Sequence, residues 1–376
     1  MADKPSSPLP ALSTAARESI LLAPYAMHSD QSAGRRYPEP VHPYRAPYQR
    51  DRDRILHSAA FRRLSHKTQV FTGDFGDYHR SRLTHTLETA SIARTLGRAL
   101  RLNEDFIEAA ALMHDIGHPP FGHSGEDVLN ECLRDEGGFS HNRQALRIVE
   151  ELERRYPDFP GLNLSLELLQ GQQRRVEKSR ARERPLLESQ VVDAADSIAY
   201  DTHDADDALQ LGLLTIDELL EIPLWCAAAE RVLARYQDLN GGELRRAILH
   251  ELIDWQVGGL LTQAQLNLQE RAIHTPADVY AAPVLIAPDA EMAEKKLELE
   301  KFLHARVYRH PRVLEMRDRS TAMLRELFAR FVAQPSLLPH GFQARIERAG
   351  LRRTVGDYLA GMTDRYLQSE YGRLVR

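Results

Sequence analysis

The chain has 376 residues, of which 43% are hydrophobic, and carries a net charge of −5. That apolar fraction supports a sizeable core and excludes wholesale disorder, and the near balance of charge excludes the global basic field that drives nucleic-acid or membrane binding. Two cysteines, Cys132 and Cys226, exclude a disulfide framework and a thiolate metal site; with no apolar run long enough to span a bilayer, a cytoplasmic, non-membrane protein is expected. Six lysines against 43 arginines fit a coding bias, phosphate recognition by guanidinium groups, or both.

Residues 1–48 are rich in Pro, Ser and Ala and read as an N-terminal arm that a partner subunit would order. From Tyr48 to Leu64 the spacing of Ile55, Ala59 and Leu64 predicts a helix. Another is predicted over 81–101, with Leu83, Leu87, Ala90, Leu96 and Leu100 on one stripe and His85 off it. Residues 104–116 read as a buried apolar helix, stopped by Gly117 and Pro119-Pro120. Helices over 125–133 and from His141 to Arg155 follow. The polar, basic stretch 172–185 reads as a solvated loop, which leaves weak single-stranded nucleic-acid binding open. An Asp-rich helix runs from Leu187 to Leu209. The rest is amphipathic helix, with Leu297, Leu303, Leu314, Leu324, Phe328 and Phe331 among its core positions. There is no internal repeat and no Gly-rich phosphate loop. The fold class is all-α, divided into the arm 1–48, a core 49–210 and a C-terminal helical region 211–376 packed on that core.

Eight of the 16 histidines fall between His57 and His141. In His114-Asp115-Ile116-Gly117-His118-Pro119-Pro120-Phe121-Gly122-His123-Ser124-Gly125-Glu126, three imidazoles and two carboxylates crowd into one short run. Such groups in an interior must be paired or metal-bound, and the apolar helix before them delivers the His-Asp pair inward. A catalytic divalent ion needs several protein ligands and an open position. His85, His114, Asp115 and Asp196 are the candidates. The helices that carry His85 and the 114–115 pair are consecutive, so antiparallel packing brings them together. Asp196 arrives from a distant helix on which Asp196, Tyr200 and Asp204 share one face, with Asp193 as its nearby competitor. With no thiolate, this ligand set admits one Mn, Mg, Fe, Co, Ni or Zn ion. A second dipeptide, His203-Asp204, lies mid-helix among acids and lacks the same context.

Four separated blocks give the chain a family likeness: Pro40-Val41-His42-Pro43-Tyr44-Arg45 through Tyr48-Gln49-Arg50-Asp51-Arg52-Asp53-Arg54-Ile55; Ala60-Phe61-Arg62-Arg63-Leu64 with Lys67-Thr68-Gln69-Val70-Phe71; Arg82-Leu83-Thr84-His85-Thr86-Leu87-Glu88; and the 114–126 run with the later Asp196 helix. Together, over roughly residues 38 to 210, they resemble the HD-domain deoxynucleoside triphosphate triphosphohydrolases, the dGTPase-like family. The resemblance implies an HD-domain helical fold with additional C-terminal helices, and hydrolysis of dGTP or other dNTPs to deoxynucleoside and tripolyphosphate. It maps His85, His114, Asp115 and Asp196 onto metal ligands, and Arg82, His118, His123, Glu126 and His141 onto phosphate and catalytic positions. Tyr200 and Asp204 fall where the family contacts the sugar. His118 stands where some members carry Asn, which argues against a strict preference for dGTP. A homo-oligomer is expected.

That reaction needs cations around a triphosphate, for which Arg62, Arg82 and Lys67 are available, and an acid for the leaving 5′-oxygen. His123 is the candidate acid, oriented by Glu126 and His141. Gln69 or His66 would read the base edge or the sugar. Two other readings compete: an HD-type phosphodiesterase or nucleotidase using the same metal, and a nucleotide-sensing or single-strand-binding protein with a vestigial site.

Overall fold

Residues 13–69, 80–177, 184–236 and 238–375 are described by a computed structural model of the chain. Among them there is no named strand, only three isolated bridges, so the architecture is all-α, as expected. No helix among them is long and apolar enough to cross a membrane.

The helices of the first half are α1 (Thr14–Leu21), α2 (Pro47–Leu56), α3 (Ala59–Arg63), α4 (Arg82–Ala99), α5 (Glu104–His114), α6 (Gly122–Cys132), α7 (His141–Arg147), α8 (Leu166–Glu177) and α9 (Leu187–Gln210). Local chemistry sets their starts. Ser81 and Thr84 form a reciprocal capping box at α4, the Asn103 side chain accepts from the Phe106 amide at 3.2 Å to open α5, and Ser140 caps α7. The helix expected over 48–64 is two helices, because Ser58 starts a new one by accepting from the Phe61 amide at 3.1 Å. The helix expected from His141 to Arg155 is α-helical only to Arg147 and then widens into a π-type turn over Ile148–Leu152.

α5 is the hub of the core. It is gripped by α2, α4 and α9, and it buries Phe106, Ile107, Leu112 and Met113 completely or nearly so, each worth roughly 1.5–3 kcal/mol when removed from water. Its C-terminal end is thereby fixed inside the molecule. The arm, where described, is held by this chain's own core: the Met27 amide donates to buried Glu188 at 2.8 Å, the Ala23 amide to the Arg101 carbonyl at 2.8 Å, and Arg35 pairs with buried Asp51.

The C-terminal helices are α10 (Ile216–Leu220), α11 (Pro223–Leu233), α12 (Gly241–Glu270), α13 (Pro276–Ala281), α14 (Ala290–Arg306), α15 (Pro311–Ala333), α16 (His340–Gln343), α17 (Ile346–Ala349), α18 (Leu351–Ala360) and α19 (Asp364–Leu374). The later part of α12, with α13, joins the core between α4 and α9 through Leu260, Ala264 and Val279, and the rest form two further apolar clusters. One, with Trp225, Leu252 and Leu303, packs on the end of α9; the other, with Leu324, Phe328, Phe331 and Leu359, packs on Phe121, Val128 and Leu129 of the α6 region. Leu297 and Leu314, expected in the core, are exposed instead.

Candidate functional site

α5 ends at His114, and Asp115 is its C-cap residue. The turn that follows presses on α7. A Cβ at Gly117 would lie 2.0 Å from the His141 carbonyl oxygen and 2.5 Å from the Ala145 nitrogen, so only glycine permits the approach. His118 consequently stacks on His141 with ring centroids 3.9 Å apart. These residues line a cleft of 490 Å³ together with His85 of α4, His123 of α6, the end of α8, and Asp193, Asp196 and Tyr200 of α9.

Two histidine clusters share this cleft. In the first, Asp196 Oδ1 lies 3.0 Å from His85 Nε2 and 3.5 Å from His114 Nε2. His114 Nδ1 donates to the Ala111 carbonyl at 2.5 Å, which leaves the Nε2 lone pair facing Asp196, and that buried nitrogen has no hydrogen-bond partner. Burial would raise Asp196, but His114 and His85 outweigh it and hold the carboxyl well below the usual range. Burial pulls His114 down, yet Asp115 and Asp196 together carry it above the ordinary imidazole value. An anionic setting, a partnerless buried nitrogen and donor atoms within 4.8 Å of one another fit a divalent ion, whose neighbouring ligands sit roughly 3.0–3.5 Å apart. Asp115 stands at the edge of this trio. Its Oδ1 is 3.4 Å from His114 Nε2 and 3.0 Å from His118 Nδ1, while Oδ2 accepts from Arg82 at 2.9 Å.

The second cluster is His118, His123, Glu126 and His141. Glu126 binds both flanking imidazoles through Nδ1, His123 at 3.2 Å and His141 at 2.9 Å, and also accepts from the His141 amide at 2.9 Å. Burial alone would raise Glu126, but these hydrogen bonds and the neighbouring rings hold it far below the usual carboxylate range, so it stays an acceptor. His123 is 66% exposed at its side chain, with its other nitrogen available to a ligand in the cleft. His118 is buried and kept neutral, pushed well down by burial first and then by Arg82 and His141.

The remaining expected residues divide sharply. Arg82 and Gln69 line the cleft, and Arg82 donates to both Asp115 and the Gln69 carbonyl. Arg62 and His66 are exposed and do not line it. Lys67 is 3% exposed and donates to the carbonyls of His118 at 2.6 Å and Ala360 at 2.8 Å, so it fastens the backbone beneath the site. Tyr200 lines the cleft. Asp204 does not; it is fully buried, accepts from the Tyr308 hydroxyl, and is pushed up to about 7, chiefly by burial. Asp193, the competitor of Asp196, turns to Arg175 at 2.6 Å. Val70, Phe71 and residues 178–183 lie outside the described residues.

The basic stretch 172–185 is where the sequence reading departs furthest from the structure. Its first part continues α8 to Glu177, and Arg174, Arg175 and Arg184 line the cleft. The signal was present: Leu168, Gln172 and Val176 recur at helical spacing, and Gln172 donates to Asn142 beside His141 at 3.0 Å. Nothing local marks Asp364. Its carboxylate accepts from the amide of Thr68 at 3.0 Å and that of Phe121 at 3.1 Å, tying the C-terminal helices to the site's loops.

Two family profiles match the chain, the HD domain over residues 82–201 and the phosphohydrolase-associated domain over 286–373. A deoxyguanosinetriphosphate triphosphohydrolase-like protein of Nitrosomonas europaea is 42% identical over 365 residues, covering 94% of this chain and 97% of that protein. One from Geobacter metallireducens is 43% identical over 368 residues, with 94% of each chain covered. A solved structure of a hypothetical protein from Aquifex aeolicus superposes with a TM-score of 0.45 at 16% identity, covering 85% of this chain and 67% of that one. With the HD profile centred on the cleft and such identity sustained from end to end, the chain belongs to the deoxyguanosinetriphosphate triphosphohydrolase-like family of HD-domain proteins.

Proposed function

We propose that the protein hydrolyses deoxynucleoside triphosphates to deoxynucleoside and tripolyphosphate. The observation that carries this reading is the union, in one cleft, of a two-histidine, one-carboxylate trio with a separate pair of imidazoles backed by Glu126. His85, His114 and Asp196, with Asp115 beside them, would hold one divalent ion, which supplies Lewis-acid polarisation of a phosphate oxygen or of water.

The chain's own residues do the rest. Water adds to the α-phosphorus and gives up a proton to solvent, the bond from that phosphorus to the 5′-oxygen breaks, and the 5′-oxygen leaves with a proton from His123 Nε2, which solvent then restores. Glu126, accepting at Nδ1, fixes the ring for that transfer and stabilises the imidazolium that precedes it. His141 is held by the same carboxylate, and its stacking on His118 keeps a second imidazole beside the first. Asp115 positions Arg82 and His118 rather than acting alone. Tyr200 is the wall against a ribose 2′-hydroxyl; Asp204, bonded to Tyr308, supports that wall from behind.

The test is incubation of the purified protein with each dNTP and NTP plus Mn or Mg, followed by separation of tripolyphosphate, pyrophosphate and phosphate. Tripolyphosphate is expected, with dGTP preferred to GTP by about tenfold or more. Orthophosphate or pyrophosphate as the first product would replace this reading with a nucleotidase or phosphodiesterase.

A further inference from the structure

A triphosphate in this cleft needs cations beyond the ion site, and the arginine nearest the metal-side residues is already committed. Arg82 is 2% exposed, and its guanidinium donates to Asp115 and to the Gln69 carbonyl, so it cannot swing outward without orphaning both. The other arginines that line the cleft, among the described residues, are Arg174, Arg175 and Arg184. Their position is built. α8 lies close on α9 at Gly171, where a Cβ would come 2.6 Å from Ser189 Oγ, and Gln172 fastens the same turn to Asn142 beside His141. Past Gln173, the next residues along the helix are the two arginines. Beyond the segment that follows, the Arg184 amide donates to the Tyr280 carbonyl at 3.1 Å, which sets Arg184 at the rim.

Arg175 has a particular partner. Its guanidinium meets Asp193 Oδ1 at 2.6 Å, one helical turn before the ligand Asp196, and the Asp193 side chain is 50% exposed. A surface carboxylate on a cleft-lining guanidinium is weakly held and can be displaced by a more strongly charged oxyanion, to which arginine binds through parallel hydrogen bonds. We propose that Arg175, flanked by Arg174 and Arg184, binds the triphosphate moiety of the substrate, and that Asp193 is the anion Arg175 exchanges for it. Asp193 then opposes the bound polyphosphate by like charge, which limits how tightly the tripolyphosphate product is retained. This assignment rests on the reading that a nucleoside triphosphate occupies the cleft.

The test is calorimetric titration of the full chain with inorganic tripolyphosphate, with deoxyguanosine as the control. Arg175→Gln is expected to weaken tripolyphosphate by about ten- to a hundredfold and leave the nucleoside unchanged. Asp193→Asn is expected to tighten tripolyphosphate by roughly threefold or more. Opposite directions are the signature, since an ion pair that merely braces α8 against α9 would weaken binding from either side. If Arg175→Gln does not fold, Asp193→Asn decides alone: tightening supports the exchange, and weakening or no change overturns it. Unaltered tripolyphosphate affinity in a folded Arg175→Gln also overturns it. If the two variants show this pattern while the wild-type protein cleaves no dNTP, the proposed hydrolase activity falls and the polyphosphate-binding role of Arg175 stands.

Discussion

The two histidine clusters share one cleft, and His114 of the first differs from His123 and His141 of the second in what its Nδ1 touches. His114 gives Nδ1 to a backbone carbonyl and turns a lone pair inward, so its natural partner is a cation. His123 and His141 give Nδ1 to a carboxylate, so their other nitrogens are suited to take and return a proton. Burial follows this division only in part: His85 and His114 are 2% and 4% exposed and the His123 side chain 66%, while His118 of the second cluster is buried. If His114 is a ligand and His123 the acid, as proposed, the partner behind each ring is what separates them.

The largest effect expected from breaking this comparison lies on the metal side. Asp196→Ala removes the one carboxylate that faces both His85 and His114, and should lower bound metal and reduce kcat by on the order of a thousandfold. Asp193→Ala should keep its metal, because that carboxylate faces Arg175. Elemental analysis of both variants checks the pair, and metal lost only from Asp193→Ala would reverse the assignment.

On the proton-transfer side the metal should stay and the rate should fall. His123→Ala is expected to lose about a hundredfold in kcat with little change in KM, since an acid acts in the transition state alone. Glu126→Gln should show a milder loss, because an amide can still accept from one ring but cannot stabilise its charge. A raised KM with unchanged kcat in metal-replete His123→Ala would make His123 a phosphate clamp instead.

Much of both clusters was legible in the sequence because His114, Asp115, His118, His123 and Glu126 lie within one short run and Asp196 on a strongly periodic helix, whereas His141 came with the family resemblance. His114 follows an apolar helix that could only be buried, and Asp196 shares a face with Tyr200 at fixed helical spacing. The errors concern residues whose role is set by distant backbone. Lys67 looked like a phosphate ligand because a lysine in a basic block normally points to solvent, yet its amine is consumed by two carbonyls, one of them from residue 360. Arg174 and Arg175 looked solvated because charge masked the helical spacing of Leu168, Gln172 and Val176. The family resemblance put Asp204 at the sugar, but Tyr308, 104 positions later, takes its carboxylate and Asp204 does not line the cleft. Periodicity reports which face is buried and is silent on which neighbour will cover it.

The junction between the clusters offers a smaller effect. The turn from Asp115 to His123 includes Phe121, a non-glycine residue at φ 63°, and its amide is held by Asp364 from the C-terminal helices. A residue kept in the left-handed region relaxes when its restraint is removed. Asp364→Ala should therefore misplace His123 relative to the trio and lower kcat by about tenfold while metal content is kept. Equal loss of metal and rate would mean that the C-terminal helices brace the whole cleft rather than the turn between its halves.

Lys67 gives the smallest effect, and one that pH isolates. Burial pushes its ammonium down to about 7 from an ordinary 10.5, against the opposing pull of Asp364. Between these values the unfolded chain holds the proton that the folded chain has released, so folding stability gained from this group rises with pH across the window and is lost as pH falls toward 7. The slope is at most about 1.4 kcal/mol per pH unit. Lys67→Met removes the titration and leaves the His118 and Ala360 carbonyls without their donor. Urea unfolding of both proteins from pH 7 to 9 should show wild type gaining on the variant as pH rises. A constant difference over that range would mean that Lys67 keeps its proton in the fold, and that the carbonyls of His118 and Ala360 are bridged by a charge.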